Sequence, residues 1–155
     1  MNFRCALLAV ALFGCSAPTH GDASDETPAD AGLVELGAIA VKKRDCTSCH
    51  NPGDPSIGLL SGNTEPVIGG TQVYAANLTP DPDTGIGTWT DDEIARAIRE
   101  GYAPGTVTLC PEMARFDHMG DDEAREIIAY LRQIPAVVHA IPPSICPPIK
   151  PITAP

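Results

Sequence analysis

The sequence predicts an all-α domain in which about three main helices are connected by long loops. Three stretches carry apolar residues at helical spacing, and no segment alternates as paired strands would. The 155 residues include 14 glycines and 16 prolines but only 5% aromatic residues. Because so few bulky side chains make a small core, we expect the loops to wrap a large cofactor.

The first two predicted helices cover residues 32–44 and 91–100. The apolar face of the first is made by Leu33, Leu36, Gly37 and Ala40. Thr90 and Glu93 have the spacing of a capping box at the start of the second helix, and Trp89 precedes them as part of a hydrophobic staple. These signals predict where the second helix begins.

The third predicted helix covers residues 121–134 and is stopped by Pro135. Its core positions are Ile127, Ile128, Tyr130, Leu131 and Ile134. Acidic residues open its first turn, where they suit the positive end of the helix dipole. The span 51–89, between the first and second helices, is rich in Gly, Pro, Asn and Asp. A loop of this length in a compact domain is normally functional.

The N-terminal residues predict export. Residues 1–14 hold Arg4 and an apolar run that is too short to span a membrane but fits a secretory signal peptide. The run ends in Leu12-Phe13-Gly14-Cys15, which resembles a bacterial lipobox and predicts a lipid on Cys15. An ordinary cleaved signal and a buried apolar helix are the alternatives.

We divide the rest of the chain into three parts. Residues 15–31 are polar without apolar periodicity, which predicts a disordered tether. Residues 32–137 form the folded domain, and residues 138–155 form a Pro-rich extended tail. The formal charge of −10 disfavours nucleic acid and anionic membranes as partners and favours proteins with basic patches, although acidity can also serve solubility alone.

The chain contains one C-x-x-C-H motif, Cys46-Thr47-Ser48-Cys49-His50. Two thiols three positions apart can both reach the vinyl groups of one haem, which leaves the His50 imidazole under the iron. The alternatives are a thioredoxin-like redox pair and half of a zinc site, but the surrounding strand–helix pattern and a second ligand pair are missing. We therefore predict one covalent haem c with His50 as its proximal ligand.

The second axial ligand has four candidates. The sulfur candidates are Met113 and Met119, and the imidazole candidates are His118 and His139. We favour Met113, because its loop between the second and third helices would cross the open face of the haem. Met119 lies just ahead of the third helix, where a methionine usually fills the core.

Two further cysteines, Cys110 and Cys146, lie far from the motif. In an oxidising compartment such a pair predicts a disulfide, with two separate buried thiols as the alternative. The bond would join the Pro-rich tail to the loop that carries Met113.

Taken together, residues 32–137 resemble a class I cytochrome c. Gly37 matches the small residue at which the first and last helices of that family cross, and Tyr130-Leu131-Arg132 matches the stretch that packs there. The stretch from Asn77 to Gly101 is similar to the cytochrome c subunits of bacterial membrane-bound dehydrogenases and to single-haem lipoprotein cytochromes c.

The resemblance implies a class I cytochrome c fold with Trp89 near a haem propionate and Met113 as an axial ligand. Those dehydrogenase subunits often carry three haem domains, whereas this chain has one motif. We therefore expect an exported one-electron carrier, not an enzyme, that serves redox partner proteins on the periplasmic side of a Gram-negative bacterium and is anchored through Cys15. The alternatives are a haem-bearing subunit of a membrane-bound dehydrogenase complex and a small haem peroxidase.

Overall fold

A computed structural model describes residues 28–148 of the chain. The predicted signal peptide, Cys15, most of the predicted tether and the end of the predicted tail lie outside the described residues. The described part contains four α-helices and one two-stranded sheet, namely α1 Pro28–Lys43, α2 Thr47–His50, α3 Asp91–Glu100, β1 Tyr102–Ala103, β2 Val107–Thr108 and α4 Asp121–Gln133. None of these helices has the length and apolar character that crossing a membrane requires.

Helix α1 packs against helix α4, and the closest approach is at Gly37. A Cβ atom at this position would overlap the backbone carbonyl of Glu126 and the Cβ atom of Tyr130. The buried face continues through Ala40 and Val41. Leu36, which the sequence predicted on this face, is 48% exposed. The prediction was wrong there because the buried face is centred on Gly37, Ala40 and Val41, and at about 100° per residue Leu36 lies beside that face.

Helix α1 already includes Pro28, whereas the sequence predicted a start at Gly32. Proline is tolerated in the first turn of a helix. The negative charge of Asp30 in that turn interacts favourably with the positive end of the helix dipole. The last four residues of the predicted tether, 28–31, are therefore helical.

Helices α3 and α4 run in opposite directions and are joined by an ion pair at each end. Arg99 Nη2 lies 2.9 Å from Asp121 Oδ1, and Arg132 Nη2 lies 2.8 Å from Asp91 Oδ1. Each pair also places a carboxylate at a helix N-terminus and a guanidinium at a C-terminus, where the helix dipoles favour them. The predicted capping box of α3 is confirmed, since Thr90 and Glu93 each accept a hydrogen bond from the other's backbone N–H.

A two-stranded antiparallel sheet follows α3, with Tyr102 opposite Thr108 and Ala103 opposite Val107. The expectation that the fold contains no strand pairs was wrong at this one place, whereas the expectation of a mainly helical domain agrees with the described residues. Strands of two residues are too short to show the alternation that identifies a strand in a sequence. The motif also forms a fourth helix, α2, of a single turn.

The long span 51–89 contains no helix and only one bridge residue, Gln72, as the predicted loop requires. It is held by buried polar side chains, above all Asn77, which is 2% exposed. Asn77 Nδ2 donates to the Val137 carbonyl at 2.8 Å, and its Oδ1 accepts from the backbone N–H of Thr79 at 2.9 Å. Buried polar groups need such partners, so Asn77 ties the loop to the chain that leaves α4.

Residues 137–146, which we call the strap, run along the loop without forming a helix. Ile145 N donates to Gln72 O at 2.8 Å, and His139 Nδ1 lies 2.9 Å from Ser61 O. Cys146 forms a disulfide with Cys110. Residues 138–148 of the predicted tail form no helix, and the strap is fixed to the domain along its length by these bonds.

Candidate haem site

The C-x-x-C-H motif begins directly after a sharp turn at the end of α1. Asp45 makes this turn with a positive φ of 56°, a conformation that aspartate tolerates better than most residues. Cys46, the residue before α2, is then half-buried, and Cys49 within α2 is exposed. Burial raises the pKa of the Cys46 thiol, so this thiol is protonated at neutral pH. Both thiols line one cavity.

The third motif residue, His50, is buried and held by a backbone carbonyl. Its Nδ1 lies 2.7 Å from the carbonyl oxygen of Ala76. A carbonyl can only accept a hydrogen bond, so Nδ1 carries the proton and the lone pair belongs to Nε2. Burial lowers the pKa of His50, which keeps the imidazole neutral at pH 7. A neutral imidazole oriented through its second nitrogen is the form that binds metals.

The cavity has a volume of about 830 Å³. This lies within the range of about 300–1,000 Å³ that is common for small-molecule and cofactor sites. Its walls are mainly apolar and come from the long loop and from α3 and α4, as shown by Val73, Leu78, Ile86, Ile94, Ile98 and Leu131. An apolar cavity next to two thiols and a neutral imidazole fits a covalently bound haem.

The structure brings the predicted site residues to this same cavity. Met113 and Trp89 both line it, together with the three motif residues. Arg132 fixes the backbone of Trp89, since its Nη2 donates to the Trp89 carbonyl at 2.5 Å. The backbone that carries the indole at the rim of the cavity is therefore anchored to α4.

The other candidates for the second axial position have different surroundings. Met119 also lines the cavity, but it is 5% exposed and belongs to the hydrophobic core. The side chain of His118 is 99% exposed and faces Asp117. His139 makes the same kind of hydrogen bond as His50, from Nδ1 to the Ser61 carbonyl, but it is not among the described residues that line the cavity. Both methionines line the cavity from irregular segments, and Met113 differs from Met119 in being half-buried and in lying outside the buried core cluster.

Sequence reasoning missed the strap as a cavity wall. Six of its residues line the cavity, namely Ala140, Ile141, Pro142, Pro143, Ser144 and Cys146. The predicted disulfide between Cys110 and Cys146 is present in the structure, and this pairing was the signal in the sequence that the strap lies near the Met113 loop.

The cavity wall also contains a buried carboxylate oxygen. Oε2 of Glu112 is buried without a hydrogen-bond partner among residues 28–148. Buried polar atoms normally have such a partner.

Comparison with known proteins supports the same assignment. No protein-family model matches the chain. It is 33% identical over 124 residues to the cytochrome c subunit of the quinone-dependent alcohol dehydrogenase of Gluconobacter oxydans. The aligned residues make up 77% of this chain and 25% of that protein. It is 35% identical over 111 residues to the gluconate 2-dehydrogenase cytochrome c subunit of Pantoea cypripedii, covering 69% of this chain and 24% of that protein.

A third relative is a diheme cytochrome c-type protein of Cereibacter sphaeroides, which is 31% identical over 95 residues, or 58% of this chain and 32% of that protein. The chain thus spans about a quarter to a third of the length of these relatives. With its haem-attachment motif and a cavity beside it, the chain is a c-type cytochrome related to the cytochrome c subunits of bacterial dehydrogenases.

Proposed function

We propose that the chain is an exported, mono-haem c-type cytochrome that carries single electrons. Cys46 and Cys49 would hold the haem through thioether bonds, and His50 and Met113 would be its axial ligands. A bound haem supplies the one-electron couple between ferric and ferrous iron. The single C-x-x-C-H motif of the chain supports one haem.

The observation that carries this proposal is the hydrogen bond between His50 Nδ1 and the Ala76 carbonyl. It leaves Nε2 as the only ring nitrogen able to bind iron and stops the ring from rotating. Such a partner on the far nitrogen orients a metal-binding histidine and increases its basicity. The thiols of Cys46 and Cys49 line the same cavity as His50, so the attachment residues and the proximal ligand would act on one group.

Ligation by Met113 makes the protein a carrier rather than an enzyme. A histidine and a methionine fill both axial positions and raise the reduction potential of a haem. No position then remains for peroxide, which is the substrate that the alternative of a small haem peroxidase requires. Trp89 at the cavity wall would lie near a haem propionate.

Export and membrane attachment belong to the same proposal. The apolar run in residues 1–14 and the lipobox-like residues before Cys15 support an exported lipoprotein on the periplasmic side. The charge of −10 supports redox partner proteins that dock through basic patches.

A second candidate function is a haem-bearing subunit of a membrane-bound dehydrogenase. The relatives named as cytochrome c subunits of alcohol and gluconate dehydrogenases favour it. Purification of the tagged protein from its own membranes distinguishes the two. A stoichiometric large catalytic subunit would support the complex, and its absence would support the separate carrier.

The haem assignment is tested by covalent attachment. We expect the mature protein to retain haem on a denaturing gel, because thioether bonds survive denaturation. Cys46→Ala and Cys49→Ala each remove one bond, and the double variant should lose the haem stain completely. A double variant that still stains would show that the haem is attached elsewhere.

A further inference from the structure

Arg115 holds the loop that carries Met113, which we call the Met113 loop (residues 109–115). Its Nη2 donates to the Leu109 carbonyl at 2.9 Å, and its Nη1 donates to the Met113 carbonyl at 2.7 Å. Nη1 also lies 3.5 Å from the Cys110 carbonyl. One guanidinium thus forms hydrogen bonds to carbonyls at the start of the loop and at Met113.

The guanidinium of Arg115 occupies space that is free because residue 101 is a glycine. A Cβ atom on Gly101 would overlap the Cζ and Nε atoms of Arg115. Gly101 ends α3 with a φ of 76°, and its carbonyl accepts from Leu109 N at 2.8 Å. The Arg115 side chain therefore packs against the end of α3, and the hydrogen bond to Gly101 fixes the start of the loop.

The Met113 loop has little regular structure to hold it. Between residues 109 and 115 the chain forms no helix or strand, and its one internal backbone hydrogen bond, from Met113 N to Cys110 O, is 3.1 Å long. Carbonyls in such a loop need partners when they are turned away from water. A guanidinium suits this task, because it offers five donors in one rigid plane.

We propose that Arg115 is a positioning residue that holds the Met113 loop in the shape from which the thioether of Met113 binds the haem iron. This inference rests on the proposed ligation by His50 and Met113. Methionine has three rotatable bonds, so the loop backbone must be fixed before the sulfur is presented at one place. Restricting the loop beforehand removes the entropy cost of ordering it at each binding event.

The disulfide at Cys110 is the competing anchor of the same loop. It holds one residue at the start of the loop, three positions before Met113. Arg115 instead contacts the carbonyl of Met113 itself. The two anchors therefore make different predictions for a variant that loses the guanidinium but keeps the disulfide.

The test compares four ferric holoproteins, namely the wild type, Arg115→Gln, Arg115→Lys and the control Arg125→Gln. Arg125 lies on the exposed side of α4 beside Asp122, so its loss removes a positive charge without touching the loop. The probe is imidazole, which competes with Met113 for the iron. Binding is followed by loss of the weak far-red band of methionine-ligated ferric haem, and helix content is followed by circular dichroism.

We expect Arg115→Gln to bind imidazole about tenfold more tightly or more, as expected for the loss of one or two charged hydrogen bonds. Its far-red band should also disappear at a lower temperature than its helices melt. Arg115→Lys keeps the charge but not the planar fork, so it should bind imidazole with intermediate affinity. Arg125→Gln should behave as the wild type does.

Unchanged imidazole affinity in Arg115→Gln would overturn the inference, as would a far-red band that is lost only together with the helices. If Arg115→Gln fails to fold, wild-type imidazole affinity in Arg115→Lys overturns it instead. Met113→Ala separates the two levels of the argument. A far-red band in Met113→Ala would refute the ligand assignment and this inference together, whereas its loss beside an unaffected Arg115→Gln would refute this inference alone.

Discussion

At the scale of single residues, backbone carbonyls orient the proposed ligands. The Ala76 carbonyl sets the tautomer of His50, and Arg115 draws in the carbonyl of Met113. Neither of these partners belongs to the motif that identifies the site in the sequence. A substitution that moves the backbone therefore acts on the site as directly as one that removes a ligand.

Gly37 offers the clearest test at this scale. Gly37→Ala should lower the free energy of unfolding by about 3 kcal/mol, the upper part of the range for overpacking, because the new Cβ meets the Glu126 carbonyl. The control is Gly32→Ala on the same helix, where a Cβ meets nothing within 4 Å. That variant should gain about 0.5–1 kcal/mol from helix propensity. Denaturant unfolding of the holoproteins measures both, and equal effects would contradict a tight crossing at Gly37.

At the scale of elements, an ion pair links the end of α1 to the start of α4. Arg44 Nε and Nη2 donate to the two carboxylate oxygens of Glu123 at 2.8 and 2.6 Å. Arg44 also lies over the ring of Phe116, with its Cζ atom 5.3 Å from the ring centroid. The pair is two residues from Cys46, so it fixes the turn from which the motif starts.

The Arg44–Glu123 pair predicts a pH dependence of stability. The hydrogen bonds from Arg44, and then its charge, hold the pKa of Glu123 below its ordinary value of 4.5. A lowered pKa in the folded state gives stability that is present above the unfolded value and is lost as the pH falls through the folded value. Glu123→Gln should therefore lose less stability between about pH 5 and pH 3 than the wild type.

Glu100→Gln is the control for this measurement, because Glu100 is more exposed and lies 3.8 Å from Arg96. Denaturant unfolding at a series of pH values gives the slopes. If Glu123→Gln and the wild type lose stability in parallel, the pair does not stabilise the fold as we describe.

The strap is the second element-scale feature, since the Cys110–Cys146 disulfide fastens it to the Met113 loop. Replacing both cysteines by serine should cost about 2–4 kcal/mol of stability, the usual contribution of a native disulfide. Loss of the disulfide should loosen the strap at Ile145 more than it loosens the rest of the domain. The N–H of Ile145 donates to the Gln72 carbonyl at 2.8 Å, which makes it a direct probe of the strap. Hydrogen exchange should become faster at Ile145 than in the core of α4, and unchanged protection there would show that the strap holds without the bond.

At the scale of the whole molecule, elements with a local sequence signal were predicted well, whereas the long-range contacts of the strap and of Arg115 were not. Helix α3 begins where predicted, because the Thr90–Glu93 capping box is a local pattern. The motif and the Met113 loop likewise reach one cavity as expected. The two-residue strands β1 and β2 were missed, because they are too short to alternate.

The strap and Arg115 show why the rest of the site could not be read from the sequence. The backbone N–H of Tyr74 donates a hydrogen bond of 2.8 Å to the hydroxyl oxygen of Ser144, which lies 70 residues away in the sequence. The Arg115 side chain packs against Gly101, and nothing in the sequence marks this glycine as its contact. Such contacts depend on how the loops fold over the cavity, and only the three-dimensional structure shows them.

A spectroelectrochemical titration of the holoprotein beside Met113→Ala and Met119→Ala tests the central claim most directly. We predict one single-electron step for each protein, because the chain carries one haem-attachment motif. Loss of Met113 should lower the midpoint potential by more than about 59 mV, a tenfold change in a one-electron equilibrium, since methionine ligation raises the potential. Loss of Met119 should leave the potential near that of the wild type. Two steps in the wild type, or a Met113→Ala potential equal to that of the wild type, would contradict the account.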